Sequence, residues 1–148
     1  MKTYTTIEQS KKLLELGLDP NTADMYYQYV LPHSNSIHHV PQVGNPVECL
    51  NWYNKGYTIS GKEALSIDDY CIPAWSLAAL LELMPSVIKR CNKRMFLSLD
   101  KAGAFNLYYK SPDRLDEIWF TKENPIDAVF DMLCWLLENN YIKTKSKQ

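Results

Sequence analysis

The chain is 148 residues long, 46% hydrophobic and 22% charged, with 16 basic against 17 acidic side chains and a formal charge of −1. That is the composition of a single globular domain, long enough to bury roughly 68–70% of the surface it exposes unfolded. It excludes disordered, collagen-like and disulfide-scaffold classes, and the near-zero net charge argues against a protein that coats nucleic acid by bulk charge.

The amino-terminal MKTYTTIEQSKK contains no apolar run of the length a secretory signal needs. The mature chain is therefore expected to start at Met1 and to work in the cytoplasm, with its four cysteines reduced. Thr6 and Gln9 have capping-box spacing, in which each side chain satisfies a free backbone N–H of the other residue. Ile7, Leu13, Leu14 and Leu16 follow, and Gly17 suits a left-handed stop, which predicts a helix over 7–16.

Residues 18–47 hold Pro20, Pro32, Pro41 and Pro46 and all three histidines, and read as ordered loop with one short helix near 22–29. An irregular stretch of that length in a compact domain points to function or partner contact. CLNWYNKGYTI at 49–59 reads as a strand and turn ending at Gly56. Pro73 suits a first helical turn, and Leu77, Leu80, Leu81 and Met84 recur at helical spacing before Pro85, which predicts a helix over 73–84. With Glu82 its one charge, that helix is expected at the centre of the core. It is too short for the about 20 residues that cross a bilayer, so no membrane partner is expected.

RMFLSL and AFNLYY, joined by DKAG, predict a β-hairpin over 94–110, and EIWFTK adds a third antiparallel strand over 117–122. Asn124 as cap and Pro125 in the first position begin a helix over 125–138, with Ile126, Val129, Phe130, Leu133, Cys134 and Leu137 on one stripe and Trp135 off it. KTKSKQ at 143–148 reads as a frayed basic tail. The expected architecture is one α+β domain over 1–148, a small antiparallel sheet packed by three helices.

No catalytic residue and no cofactor follow from these patterns. Gly56, Gly61 and Lys62 fit GxxxxGK, but Glu63 stands where Ser or Thr must hold magnesium and would repel phosphate, so the segment reads as a turn. His33, His38, His39 and Cys49 are metal-capable, yet no CxxC or HxxxH pair exists and adjacent side chains diverge, so no metal site is assigned. Cys71 with a loop histidine, or Cys91 among its basic neighbours, would need a base or charge brought close by the fold; structural thiols are the plainer reading, and a small His/Cys-dependent enzyme or metal-binding protein stands as a third reading of the chain. A carboxylate pair at Asp127 and Asp131 is accounted for by the favourable potential at a helix start.

Charge is segregated. Residues 86–110 hold six cations against one acid, and 111–138 hold seven acids against two cations. Lys89, Arg90, Lys93 and Arg94, with Tyr108 and Tyr109 on the next hairpin, support a second reading in which the chain binds single-stranded nucleic acid. The bland account is a set of cations at a helix end or facing the acidic segment. Tyr26, Tyr27, Tyr29, Trp52, Tyr53 and Tyr57 cluster ahead of the central helix, and such rings offer rigid contact area with a polar handle. The leading reading is a non-enzymatic protein that binds a protein partner or a second copy of itself through this aromatic segment at 22–59.

EQSKKLLELGLDPNTADMYY (8–27), CIPAWSLAALLELMP (71–85) and NPIDAVFDMLCWLLENNYI (124–142) together resemble a group of small proteins encoded on prophages and other mobile elements of gut-dwelling anaerobes. The resemblance implies cytoplasmic expression and an accessory role on a mobile element, and carries no activity, ligand or site residue with it. If the 22–59 aromatics lie on the surface, replacing Tyr26 and Tyr27 by Ser will weaken association in sedimentation while leaving the melting temperature nearly unchanged.

Overall fold

Caps written into the sequence set the ends of the first helix. α1 spans Ile7–Glu15, with the Thr6 side chain accepting from the Gln9 N–H and the Gln9 side chain accepting from the Thr6 N–H, both at 3.1 Å. At the other end Gly17 takes φ 96°, the Leu18 N–H reaches the Leu13 carbonyl and the Gly17 N–H reaches the Leu14 carbonyl, each at 3.0 Å. This paired closure satisfies two orphan carbonyls and folds Leu18 onto Leu13, both buried. The molecule is described by a computed structural model over residues 2–30, 38–46 and 71–144.

A 3₁₀ turn at Pro20–Thr22 leads into β1 (Met25–Val30), which pairs antiparallel with β2 (His38–Val43) on one side and β3 (Cys71–Ala74) on the other. A short helix expected near 22–29 is thus a strand instead. Its MYYQYV is rich in tyrosine and valine, which favour a pleated, half-buried surface. Pro41 and Pro73 stand on β2 and β3, the outer strands of this sheet among the described residues, where proline is tolerated. The expected strand at 49–59 lies outside the described residues.

Pro73 also corrects the next boundary. It belongs to β3, and α2 begins only at Leu77, where the Ser76 hydroxyl caps the Ala79 N–H at 3.2 Å, and ends at Leu83. The helix expected over 73–84 is therefore a buried strand followed by two helical turns. Between them sits Trp75, fully buried, its Nε1 donating to Thr22 Oγ1 at 3.0 Å and its backbone N–H to Thr5 Oγ1 at 3.1 Å.

The second sheet runs β4 (Val87–Arg90), β5 (Lys93–Ala102), β6 (Ala104–Lys110), β7 (Glu117–Lys122), antiparallel throughout and in that spatial order. The hairpin at 94–110 and the strand at 117–122 form as expected, although Asp100–Ala102 continue β5 and Gly103 (φ 77°) is the tip. β4 is an addition. KRCNKR turns at Cys91 (φ 51°) and Asn92 (φ 63°), the two left-handed positions of a type I′ hairpin, so these cations flank a strand turn and not a helix end.

α3 spans Pro125–Glu138 with Asn124 Oδ1 capping the Ile126 N–H at 2.9 Å, and closes as α1 does, with Asn140 (φ 62°) in the glycine role. It buries Ile126, Ala128, Val129, Met132, Leu133, Leu136 and Leu137. These meet Met95, Leu107 and Tyr109 of the sheet, Leu80 of α2, and Leu13, Leu18 and Trp75. The core thus centres on α3; α2, expected there, buries only Ala79 and Leu80. A smaller cluster joins Tyr27, Ile72 and Ala74 to Tyr4, Ile7 and Met25, between the three-stranded sheet and α1. The architecture is the expected α+β class, with two antiparallel sheets instead of one among the described residues. Among the described residues no helix is long and apolar enough to cross a membrane.

The end of the described chain packs back on α1, since a Cβ built on Gly17 would lie 2.8 Å from Thr144 Cβ. Gly17→Ala is expected to lower the unfolding free energy by about 1–2 kcal/mol for the left-handed backbone alone, plus a contact cost. In urea melts, adding Thr144→Gly should recover the contact part and leave the backbone part.

Candidate functional site

Strand alternation sorts the four-stranded sheet into two unlike faces. Ile88, Met95, Leu97, Phe105, Leu107, Tyr109, Ile118 and Phe120 point inward and belong to the core built on α3. Every residue out of phase with them points outward, and three of these are large and apolar: Val87, 41% exposed, Phe96, 43%, and Trp119, 62%. Scattered exposed apolar residues are ordinary, but these share one face of one sheet, on β4, β5 and β7.

The register arranges that outer face in rows. Lys89 stands opposite Arg94 beside the β4–β5 turn; the next row is Val87, Phe96, Lys110 and Glu117; the next is Ser98, Tyr108 and Trp119; the last is Asp100, Asn106 and Thr121. The last row is tied together by hydrogen bonds. Asn106 Nδ2 donates to Asp100 at 2.8 Å, the Tyr108 hydroxyl to Asp100 at 2.7 Å, and the Thr121 hydroxyl to Asn106 at 2.7 Å. The donors Asn106 and Tyr108 hold the Asp100 carboxyl below its ordinary pKa. The Lys110 ammonium lies 4.7 Å above the Tyr108 ring.

The same alternation divides the cations expected to act as one cluster. Lys89 and Arg94 lie on the outer face, whereas Arg90 and Lys93 lie on the other. Arg90 places its guanidinium 5.9 Å from the centre of the Trp135 ring, which in turn stacks on Tyr141. Lys93 bridges Asp113 and Asp116, each at 3.0 Å, and these two carboxylates raise its pKa. Tyr108 and Tyr109 are parted likewise, since Tyr109 is fully buried and donates to the Pro85 carbonyl at 2.5 Å. In the turn after β6, Asp113 accepts from the Ser111 hydroxyl, from the Leu115 N–H at 3.0 Å and from Lys93, and these hold its carboxyl down at about 2.

Of the six aromatics expected to anchor a partner, Tyr27 and Tyr29 are buried and Tyr26 is half-buried. Trp52, Tyr53 and Tyr57 lie outside the described residues, as do the glycine–lysine segment at 56–63, His33 and Cys49. Tyr27 packs edge-on to Tyr4 and donates its hydroxyl to the Thr5 carbonyl at 2.6 Å; burial pushes its pKa up to about 12. Its replacement cannot be neutral for stability, contrary to the sequence expectation. His38 and His39 are successive on β2, and the His39 ring lies edge-on to Tyr29 at 5.9 Å.

The remaining chemical candidates stay apart. The Cys71 thiol is buried and directed at the Pro46 carbonyl at 3.6 Å, Cys91 is exposed at its turn, and burial pushes the Cys134 thiol up to about 11. Asp127 accepts from Lys2 and from Gln9 at 2.8 Å, while Asp131 pairs with Lys122 at 3.6 Å, so the two carboxylates serve separate ion pairs. Among the described residues no group of three His, Cys, Asp or Glu side chains is assembled to hold a metal ion. Comparison with protein-family models, with curated proteins and with solved structures finds no match to this chain.

Val87, Phe96 and Trp119 were missed in the sequence, although the signal exists. In RMFLSL, AFNLYY and EIWFTK the alternate set Met95, Leu97, Leu107, Tyr109, Ile118 and Phe120 already supplies an inner face, so Phe96, Tyr108 and Trp119 are surplus aromatics out of phase.

Two outcomes follow from this chemistry. Tyr27→Phe should cost about 1 kcal/mol in urea unfolding, because it leaves the Thr5 carbonyl without its donor, and Tyr27→Ser about 3–5 kcal/mol by cavity formation. Because the folded pKa of Asp113 is depressed, its contribution is present above its unfolded pKa, ordinarily 3.8, and is lost as pH falls toward about 2. Acid titration of stability should show that loss, and Asp113→Asn should remove its share.

Proposed function

We propose that this chain is a non-enzymatic accessory protein that acts by protein–protein contact, and that the outer face of β4–β7 is its docking surface. The observation that carries the reading is that Val87 and Phe96 on β4–β5 and Trp119 on β7 are exposed on one sheet face, either side of Tyr108 and the Lys110 above it, with Lys89, Arg94, Asp100 and Glu117 on the same face. Exposed aromatic residues are enriched in protein interfaces, and Trp is among the residues most often dominant in one. The cytoplasm and the accessory role on a mobile element, both implied by the segment resemblance, fit a small binding protein of this kind.

A second reading, single-stranded nucleic-acid binding, draws on Phe96 and Trp119 as stacking platforms beside Lys89, Arg94 and Lys110. It is weaker here. Asp100 and Glu117 share the face and would repel phosphates, Lys110 covers the Tyr108 ring, and Arg90 and Lys93 are engaged elsewhere.

Capture of the tagged chain from its own cells, with and without nuclease, separates the two. The double variant Phe96→Ser, Trp119→Ser should lose a protein that wild type retains after nuclease treatment. Its unfolding free energy should change by no more than about 1 kcal/mol per site, the scale of a cross-strand pair. Retention that nuclease abolishes would favour the second reading, and retention unaffected by the double variant would remove this face from the account.

A further inference from the structure

We infer that the occupant of this face is a second copy of the same chain, an inference that rests on reading the face as a protein-docking surface. The argument is charge self-complementarity. Along the outer face the Cys91–Asn92 end is basic, where Arg94 stands beside Lys89; the middle carries Val87, Phe96 and Trp119 together with Lys110 and Glu117; and the end toward Gly103 is acidic, at Asp100.

Two such faces can meet about a two-fold axis in two simple ways. An axis parallel to the strands keeps the rows in order and, placed between β4 and β5, sets Lys89 of each copy over Arg94 of the other. An axis across the strands, along the row of Leu97, Tyr109 and Ile118, reverses the rows while keeping each strand over its counterpart. Arg94 and Asp100 lie three residues either side of Leu97 on one strand, so this operation sets Arg94 of each copy over Asp100 of the other. The ion pair occurs twice, as an isologous contact requires. The same operation puts Trp119 over Glu117, Tyr108 over Lys110 and Phe96 over Ser98, so beside the axis each aromatic ring of one copy is covered by a polar side chain of the other. Asn106 and Tyr108 hold Asp100 ionised and in place, ready for such a partner.

Size sets the strength. Four strands about 4.8 Å apart and roughly 20 Å long give a flat area near 400 Å² per copy, about half the roughly 800 Å² per partner of a standard stable interface. The dimer is therefore a reversible, concentration-dependent one formed by protomers that fold on their own core.

Sedimentation equilibrium of the purified full chain, from micromolar to millimolar, tests this with wild type, Arg94→Glu, Asp100→Lys and the double exchange. Wild type should pass from monomer to dimer; each single exchange should weaken the dimer at least about tenfold by setting like charges together; the double exchange should restore most of the loss. Thermal melts of all four proteins identify any variant that has lost the sheet, and the double exchange carries both changes, so its recovery cannot come from altered folding. Wild type monomeric at every concentration, or dimerisation indifferent to all three exchanges, would overturn the inference. If a monomeric wild type still retains a different protein that Phe96→Ser, Trp119→Ser releases, the occupant is wrong and the docking face stands; a monomer that binds an oligothymidine with steep salt dependence overturns both.

Discussion

The rest of this molecule turns on a four-stranded sheet that α3 covers on one side. α3 lies against β6 and β7 and fills the inner face with seven buried side chains, each large one contributing about 1.5–3 kcal/mol. Strand geometry then leaves no choice for the intervening residues, because a residue next to an inward one must point the other way. The consequence is an outer face that faces water, and on which the chain nonetheless places a tryptophan, a phenylalanine and a valine. An antiparallel sheet with one wet face usually carries polar residues there. The departure from that pattern is local, and it is what gives the face a use.

The remaining half of the fold holds this sheet's helices in place. Residues 3–5 run beside 75–77, with the Thr5 N–H bonded to the Trp75 carbonyl at 2.9 Å and the Leu77 N–H to the Thr3 carbonyl at 3.3 Å. Thr5 also accepts the Trp75 N–H on its side chain and the Tyr27 hydroxyl on its carbonyl. One buried threonine thereby ties the start of the chain, β1 and the β3–α2 junction together. Asp127 of α3 is bonded by Lys2 and Gln9, which carries the connection to the main core. Buried polar groups of this kind are costly when unpaired, so the arrangement specifies a single packing of the two sheets around α1 and α3.

Much of the architecture was readable in the residues, and the failures have physical causes. α1 and α3 were legible because Thr6, Gln9, Asn124 and Pro125 act locally, within a turn of where they stand. The hairpin around Gly103 and the strand at 117–122 were legible from clean alternation. β1 and β2 were not, because proline and histidine suggest loop until β2 and β3 are seen, among the described residues, as outer strands that tolerate Pro41 and Pro73, a fact of tertiary pairing. β4 was hidden since its turn uses Cys91 and Asn92 where a glycine would have announced it. The docking surface suffered from the same blindness: tyrosines at 26–29 look like anchors until β1 is seen to bury two of them, and four neighbouring cations look like one patch until a strand turn sends them to opposite faces.

The central claim is that the outer face of β4–β7 is where two copies of this protein meet. Two-dimensional NMR spectra of the labelled chain across a dilution series read that face residue by residue. The account predicts concentration-dependent shifts at Val87, Phe96, Tyr108 and Trp119, with the core residues Ile126, Met132 and Leu136 unmoved. Shifts absent altogether, or gathered instead on Tyr26 and its neighbours in the three-stranded sheet, would contradict it.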